Sequence, residues 1–535
     1  MNAANKPIAQ RTYADIRATL LARQEVALLD VREEELHAQA HPLFAANLPL
    51  ARIELDAYSK LPRRNVAIVT LDDGEGDAEI AARRLIALGY TDVAVLAGGV
   101  GGWLAAGGEL FRDVNVPSKA FGELVDAERH PPSFSAEQVQ ALIDAGTDML
   151  IVDVRRFDEY QTMSIPTATN VPGAELVLRV PALAPRPETQ IIVNCAGRTR
   201  SIIGTQSLIN AGLSNPVAAL RNGTIGWTLA EQRLDHGQTR RFGPVADTPR
   251  LQAAERARRV ADRAGVKRVR LAAFRPWRGQ TSRTTHFFDV RTPEEYAVGH
   301  LPGFCSAPGG QLVQETEMFA PVRGARLVLA DSDGVRANMS ASWLAQMGWE
   351  VHVVDDAGPI DFSEQGPWQA PLPPLPTAHL ISPWTLADWL ATLGETVVLD
   401  VATSASYRRA HIPGAWFILR SHLADDLQRI PAARRYVLTS RSSLLARFVA
   451  AELAVLVATN QAEVVVLDGG TEAWHAAGLP EERGPTRLAS EPIDRYRRPY
   501  EGTDNPKEAM QGYLDWEYGL VDQLARDGTH HFIVL

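Results

Sequence analysis

Leu28-Leu-Asp-Val-Arg32, Ile151-Val-Asp-Val-Arg155, Phe287-Phe-Asp-Val-Arg291 and Val398-Leu-Asp-Val-Ala402 are four copies of one pattern, an apolar run ending in Asp-Val. The aspartates are 123, 136 and 111 residues apart, periods that suit whole domains rather than solenoid units. Each copy continues with the same order of signals. A helical pattern precedes it, as in Ser135-Ala-Glu-Gln138, where Ser135 and Gln138 form a capping box. Downstream stand Gly299-His-Leu-Pro-Gly303 and Ala410-His-Ile-Pro-Gly414, with Ser164-Ile-Pro-Thr-Ala168 in the second copy and His41-Pro42 as a remnant in the first.

Next comes a β-branched run: Val66–Thr70, Ile191–Asn194, Leu327–Ala330 or Tyr436–Thr439. Short apolar runs of this kind suit buried parallel strands. The residue that opens the following loop is Asp72, Cys195, Asp331 or Ser440, which lies 42, 42, 42 and 40 residues after the aspartate of its copy. A helix such as Ala78–Ile86 follows. The last strands are Val93–Leu96, Val217–Leu220, Val351–Val354 and Val464–Leu467. Three copies close on glycine and tryptophan (Gly98-Gly99 with Trp103, Gly223 with Trp227, Gly469-Gly470 with Trp474), whereas the third has Asp355-Asp-Ala-Gly358. Alternating strands and helices predict α/β units, each with a doubly wound parallel sheet. Ligands of such sheets sit beyond the carboxyl ends of the strands, where the Cys195 loop lies.

The chain of 535 residues is long enough for several cores. Its net charge of −10 argues against nucleic acid or an anionic membrane as a partner. Two cysteines, Cys195 and Cys305, exclude a disulfide framework and a Cys-rich metal site, so no metal is expected. The stretch Met1–Leu20 has no apolar core of a secretory signal, and no run approaches a membrane span. A cytoplasmic protein is expected.

Composition divides the chain into units at 1–118, 130–240, 260–370 and 377–488, with a tail at 491–535. Asn115–Pro132 reads as a polar connector, Gly237–Ser282 as a long basic and partly helical one, and Pro371–Pro376 as a stiff spacer. The tail holds a helix near Pro506–Asp527, with Met510, Leu514, Val521 and Leu524 on one face, expected to dock on a domain.

The Asp-Val-Arg signature, the His-Ile/Leu-Pro-Gly signature, the strand–loop–helix carrying Cys195 and the Gly-Gly…Trp ending together resemble the rhodanese family. The resemblance covers nearly the whole chain, as four tandem rhodanese-like domains with a C-terminal helical tail. It implies thiosulfate sulfurtransferase activity without a cofactor. Cys195 would be the catalytic nucleophile, and Ala196, Gly197, Arg198, Thr199 and Arg200 would form the substrate-binding loop around it. By resemblance the mechanism is double displacement: the Cys195 thiolate takes the outer sulfur of thiosulfate or a similar anionic donor, and the persulfide passes it to cyanide or a thiol. The family's phosphatases have a loop one residue longer, so the short loop favours sulfur over phosphate.

A loop entering a helix offers unpaired N–H donors and the positive end of the dipole. With Arg198 and Arg200 nearby, these lower the expected pKa of Cys195 and favour an anionic donor. Asp72, Asp331 and Ser440 mark three units without the family's nucleophile. Cys305, in a strand leading inward, reads as a core residue. Arg155 is expected to pair with Glu159, and Arg291 with Glu295, four residues on. The tryptophans are expected to pack the last strand–helix junction, and His300 and His411 to stabilise their turns. Three silent units leave a second reading, a sulfur-carrying scaffold that exchanges persulfide sulfur with a partner protein.

Overall fold

The computed structural model describes residues 7–535 apart from Leu393; the first six residues of the N-terminal stretch lie outside the described residues. Four sheets follow one another along the chain, each with its first five strands in the spatial order first, fifth, fourth, second, third, all parallel. The predicted strands are present within a residue or two, for instance Gln190–Asn194 and Arg326–Ala330. The opening strand of each unit (Ala9–Arg11, Ser133–Phe134, Lys267–Val269 and Leu380–Ile381) is two or three residues long and carries no periodic signal. The strand order reverses between the second and fourth strands. That switch point brings the end of the Asp-Val strand beside the loop that opens with Asp72, Cys195, Asp331 or Ser440.

The Asp-Val-Arg signature is a buried fork. Arg32, Arg155 and Arg291 each bind both oxygens of the aspartate two residues earlier, and each donates to a carbonyl eight residues on, at Ala40, Met163 or Gly299. The fork ties the end of the second strand to the turn after the next helix. The arginines do not pair with a glutamate four residues on, as the sequence suggested. Glu159 pairs with Arg200 and Glu295 with Arg336, because the aspartate already holds the guanidinium. In the fourth unit Ala402 replaces the arginine. Burial then pushes Asp400 up to about 7, with the Ala402 amide as its hydrogen-bond donor.

The remaining signatures serve packing. His300 and His411 stack on Tyr296 and Tyr407 and bond their carbonyls. His41 occupies the same place as His300 and His411, bridging to a later segment as they do. Trp103, Trp227 and Trp474 are buried and each donates to a carbonyl six residues on. Cys305 is half-buried in its strand, and burial pushes its thiol up to about 12.

Two expectations about boundaries change. The connector Asn115–Pro132 is mostly a buried helix, Val116–Arg129, with Val116, Ala120, Phe121 and Val125 on its apolar face. Its charged residues Lys119 and Glu123 are buried too, so polarity alone misleads. The first sheet also gains a sixth, antiparallel strand, Val322–Arg323, contributed by the third unit's region, and the two units share one apolar core. Units 1 and 4 meet through Arg420 on Glu54 and Arg84 on Glu452. Among the described residues, no helix is long and apolar enough to cross a membrane.

Asp153→Ala leaves Arg155 buried without its carboxylate and is expected to lower stability by about 3–5 kcal/mol. Asp400→Asn strands no cation and, below about pH 4 where the carboxyl is neutral in both states, should lower it by less than ~1 kcal/mol. The raised value of Asp400 means that its contribution is complete below the unfolded value near ~4 and is lost as pH rises through 7. Asp400→Asn should therefore flatten that part of the decline in melting temperature, whereas Asp153→Ala should not.

Candidate active site

The loops after the four fourth strands show what the turn is built to hold. In the first unit the Asp72 carboxylate accepts the backbone N–H groups of Gly74, Gly76 and Ala78 at 2.9, 2.9 and 3.0 Å. In the third, Asp331 accepts those of Gly334 and Ala337 at 2.9 and 2.7 Å. In the fourth, the Ser440 hydroxyl accepts that of Ala446 at 3.3 Å. The donor six residues on is common to all three. A side chain at the head of this loop thus points into a cradle of amides, and two units place a carboxyl group there, that of Asp331 pushed up to about 7 by burial and the Asp333 charge.

In the second unit that position is Cys195, and the sixth residue on is Ser201. The Cys195 thiol lies 3.4 Å from the Ser201 hydroxyl, which itself donates to the Arg198 carbonyl at 2.8 Å. The loop leads into the helix Thr199–Asn210. Its carbonyls turn outward: Cys195 O accepts Thr224 N at 2.9 Å, and Ala196 O accepts Ile225 N at 3.0 Å. Gly223, at φ +54°, permits this approach, since a Cβ there would meet the Cys195 and Gly197 carbonyls. Gly99 and Gly470 do the same against Asp72 and Ser440.

The electrostatics differ from expectation. Arg198 points away from the sulfur. It pairs with Glu123 and Asp126 of the connector helix, at 2.8 Å each, and lies over the Tyr518 ring. Arg200 is paired with Glu159 at 2.9 Å. Arg336 and Glu295 repeat that pair in the third unit, which has no cysteine at this loop, so the pair belongs to the fold. Neither arginine is an uncommitted anion receptor. Cys195 is only 1% exposed, and burial pushes its thiol above the ordinary range. The Arg200 charge and the Ser201 donors pull against that shift without reversing it. The expected lowering therefore does not hold in this closed arrangement.

What closes the site is the connector helix and the tail. A Cβ on Gly122 would lie 2.7 Å from Thr199 Cγ2, so the connector helix passes directly over the start of the loop's helix. The tail holds two helices, Lys507–Tyr518 and Leu520–Asp527, broken at Gly519. Met510, Leu514 and Leu524 are buried, as their spacing suggested, while Val521 is half-buried. The first of these helices lies on the Cys195 loop: a Cβ on Gly197 would be 3.1 Å from the Tyr513 ring and 3.3 Å from Glu517 Oε2. Thr199 Oγ1 lies 3.4 Å from Glu517 Oε1. Lys119 anchors the tail among the rings of Tyr500, Tyr513 and Trp516, with its ammonium on Asp113.

A cavity of about 870 Å³ has Arg155, Glu159, Arg200 and Tyr500 on its wall, but not Cys195. Among the described residues, no group of three His, Cys, Asp or Glu side chains could hold a metal ion. Of the residues singled out from the sequence, Cys195, Ala196, Gly197 and Thr199 converge at the loop, Arg200 borders it, and Arg198 serves the connector. Ser201 was legible by alignment with Ala78, Ala337 and Ala446. Glu123, Tyr513 and Glu517 were not, because the segments that carry them have no counterpart in the other repeats.

Comparison with known proteins matches the rhodanese-like domain family at residues 14–106, 135–230, 277–357 and 385–477. A thiosulfate sulfurtransferase from Pseudomonas aeruginosa, known from its crystal structure, is 67% identical, with 99% of this chain and 100% of that chain covered and a TM-score of 0.97. An HTH-type transcriptional regulator of Mycobacterium tuberculosis, Rv0324, is 38% identical over 92 residues. That match covers 17% of this chain, which spans only 39% of the length of that curated relative.

Gly197→Ala is expected to push the Tyr513 ring and Glu517 outward, at a cost of about 1–3 kcal/mol. Hydrogen exchange across Lys507–Tyr518 should speed up while the sheet of the second unit keeps its protection. Unchanged exchange in the tail would show that the ring yields without the helix moving.

Proposed function

The chain belongs to the rhodanese-like family, and from that premise we propose that it is a sulfurtransferase with one reactive site, Cys195, in the unit at about 130–240. Thiosulfate is the proposed donor, as named for the Pseudomonas aeruginosa relative. The observation that carries the reading is the cradle. The loop position whose carboxyl group receives backbone amides in the first and third units holds, in the second, a sulfur. A thiolate, and then the terminal sulfur of a persulfide, is the anion that suits the same donors.

The reaction follows as double displacement. The Cys195 thiolate attacks the outer sulfur of thiosulfate, the sulfur–sulfur bond breaks, and sulfite leaves with the electron pair. A cyanide ion or an acceptor thiolate then attacks the outer sulfur of the Cys195 persulfide, and the Cys195 thiolate leaves. The cradle stabilises negative charge on sulfur in both half-reactions. With Arg198 and Arg200 committed to carboxylates, donor recognition falls mainly to the backbone of residues 196–200 and to the cavity beside Arg200. Two free cysteines, one of them at this loop, suit a reducing compartment, so we place the protein in the cytoplasm. The other three units are proposed to be silent. Asp72 and Asp331 fill their own cradles, and Ser440 has no base beside it among its hydrogen-bond partners.

The burial of Cys195 beneath the tail also favours a second reading, in which a partner protein's thiol receives the sulfur once the tail moves. Intact mass before and after thiosulfate separates the two. A gain of one sulfur on Cys195, removed by cyanide with multiple turnovers, is expected for the enzyme. A gain that cyanide leaves in place but a co-purifying protein removes would favour the carrier. Cys195→Ser should abolish the gain while keeping the melting temperature within a few degrees, roughly what a buried, isosteric exchange costs. Sulfur still bound by that variant would overturn the single-site reading.

A further inference from the structure

In the first, third and fourth units the residue six beyond the head of the loop is alanine: Ala78, Ala337 and Ala446. Each gives its amide to the head side chain. The second unit, which alone holds a cysteine at the head, alone holds a serine at the sixth place. Ser201 is 1% exposed and lies in the first turn of the helix Thr199–Asn210. Its hydroxyl stands between two partners. The Cys195 thiol donates to Ser201 Oγ at 3.4 Å, and Oγ donates to the Arg198 carbonyl at 2.8 Å. That carbonyl also accepts the Ile202 amide at 3.2 Å, so it keeps a donor without the hydroxyl. A hydroxyl carries one proton and can turn it toward either neighbour.

We propose that Ser201 is a catalytic residue: its O–H turns from the Arg198 carbonyl to the Cys195 sulfur whenever that sulfur carries negative charge. The inference rests on Cys195 being the reactive thiol and deepens that reading. Ionisation breaks the S–H bond of Cys195 with its electron pair left on sulfur, and the proton goes to a solvent base such as hydroxide. Ser201 keeps its own proton throughout, and only the direction of its O–H bond changes. When the thiolate takes the outer sulfur of thiosulfate, Cys195 Sγ becomes the neutral inner sulfur of the persulfide and the charge moves to the outer one. The hydroxyl then returns to the Arg198 carbonyl. When an acceptor takes the outer sulfur, the sulfur–sulfur bond breaks with its electron pair on Sγ, and the hydroxyl meets the departing thiolate. One donor thus serves the nucleophile in the first half-reaction and the leaving group in the second.

The surroundings make this donor count. Cys195 is as deeply buried as Ser201, and a buried thiolate is costly unless a hydrogen bond favours the charged form. A hydrogen bond to an ionised group is also stronger than one to a neutral thiol. The hydroxyl and the amide of Ser201 both pull the thiol against the effect of its burial. The charged and titratable groups around the loop are Arg200 with Glu159, Arg198 with Glu123 and Asp126 of the connector helix, and Tyr513 and Glu517 of the tail. Removal of one hydroxyl at Ser201 leaves all of them in place.

The test compares the full chain with Ser201→Ala, which then matches the other three units at this position and is expected to fold as they do. The rate of iodoacetamide labelling at Cys195, mapped by peptide mass, is followed against pH. Its midpoint should rise by about one to two pH units in Ser201→Ala, the size of one hydrogen bond to a charged group. Ser201→Thr, which keeps a hydroxyl, should keep the wild-type midpoint. In a second measurement, protein loaded with thiosulfate and then freed of it is mixed with cyanide, and discharge of the persulfide should be about tenfold slower in Ser201→Ala. Loss of a merely structural bond to Arg198 would lower the melting temperature and leave the midpoint in place. A midpoint shared by wild type and Ser201→Ala, or an equal rise in Ser201→Thr and Ser201→Ala, would overturn the inference and leave the sulfurtransferase reading intact. If Cys195 takes neither label nor sulfur in any of the three proteins, the reading of Cys195 falls, and this inference falls with it.

Discussion

The backbone amides of the turn that leaves each fourth strand must be met by something, because buried N–H groups without acceptors are costly. Everything distinctive about this chain follows from how its four copies meet that demand. In the first and third units an aspartate at the head of the loop supplies a carboxylate, and in the fourth a serine supplies a hydroxyl. In those loops the head residue's own side chain accepts the amides. In the second unit the position is a cysteine, whose thiol brings no carboxylate and donates weakly to the Ser201 hydroxyl. A single residue type at one position therefore separates the second unit from the other three on a common framework.

Around that cradle the molecule neutralises charge rather than accumulating it. Arg198 and Arg200 look from their spacing like anion receptors, yet each is held by a carboxylate from elsewhere in the fold. The buried arginine forks work in the same way. Each guanidinium is satisfied by its own aspartate and by a carbonyl across the turn, which makes the fork a fastening for the backbone. The fourth unit, which lacks the arginine, keeps its aspartate with only an amide donor and a raised pKa.

The units are not independent beads. The third unit's region lends a strand to the first sheet, the first and third units share a core, and the connector helix and the tail both cross the second unit's loop. Burial of the Cys195 thiol is thus a property of the whole chain. The segments that create it, Val116–Arg129 and Lys507–Tyr518, are the ones that the duplication did not copy.

The repeat, the α/β alternation, the position of Cys195 and the roles of the tryptophans and histidines were legible in the sequence, because each rests on local order repeated several times. Two- and three-residue opening strands were not, since no periodicity fits in so few residues. The partners of Arg155, Arg198 and Arg200 were not legible either. A guanidinium at the end of a long side chain chooses among carboxylates up to 75 residues away in sequence, and only the folded chain sets which of them is near. The sequence by itself determined where the cradle is and which copy holds a sulfur, because backbone turns and residue types are local. Only the tertiary structure decided that the sulfur is buried and the arginines spent, with a tail carboxylate lying over the loop. Burial and long-range charge depend on segments that meet only once the chain is packed.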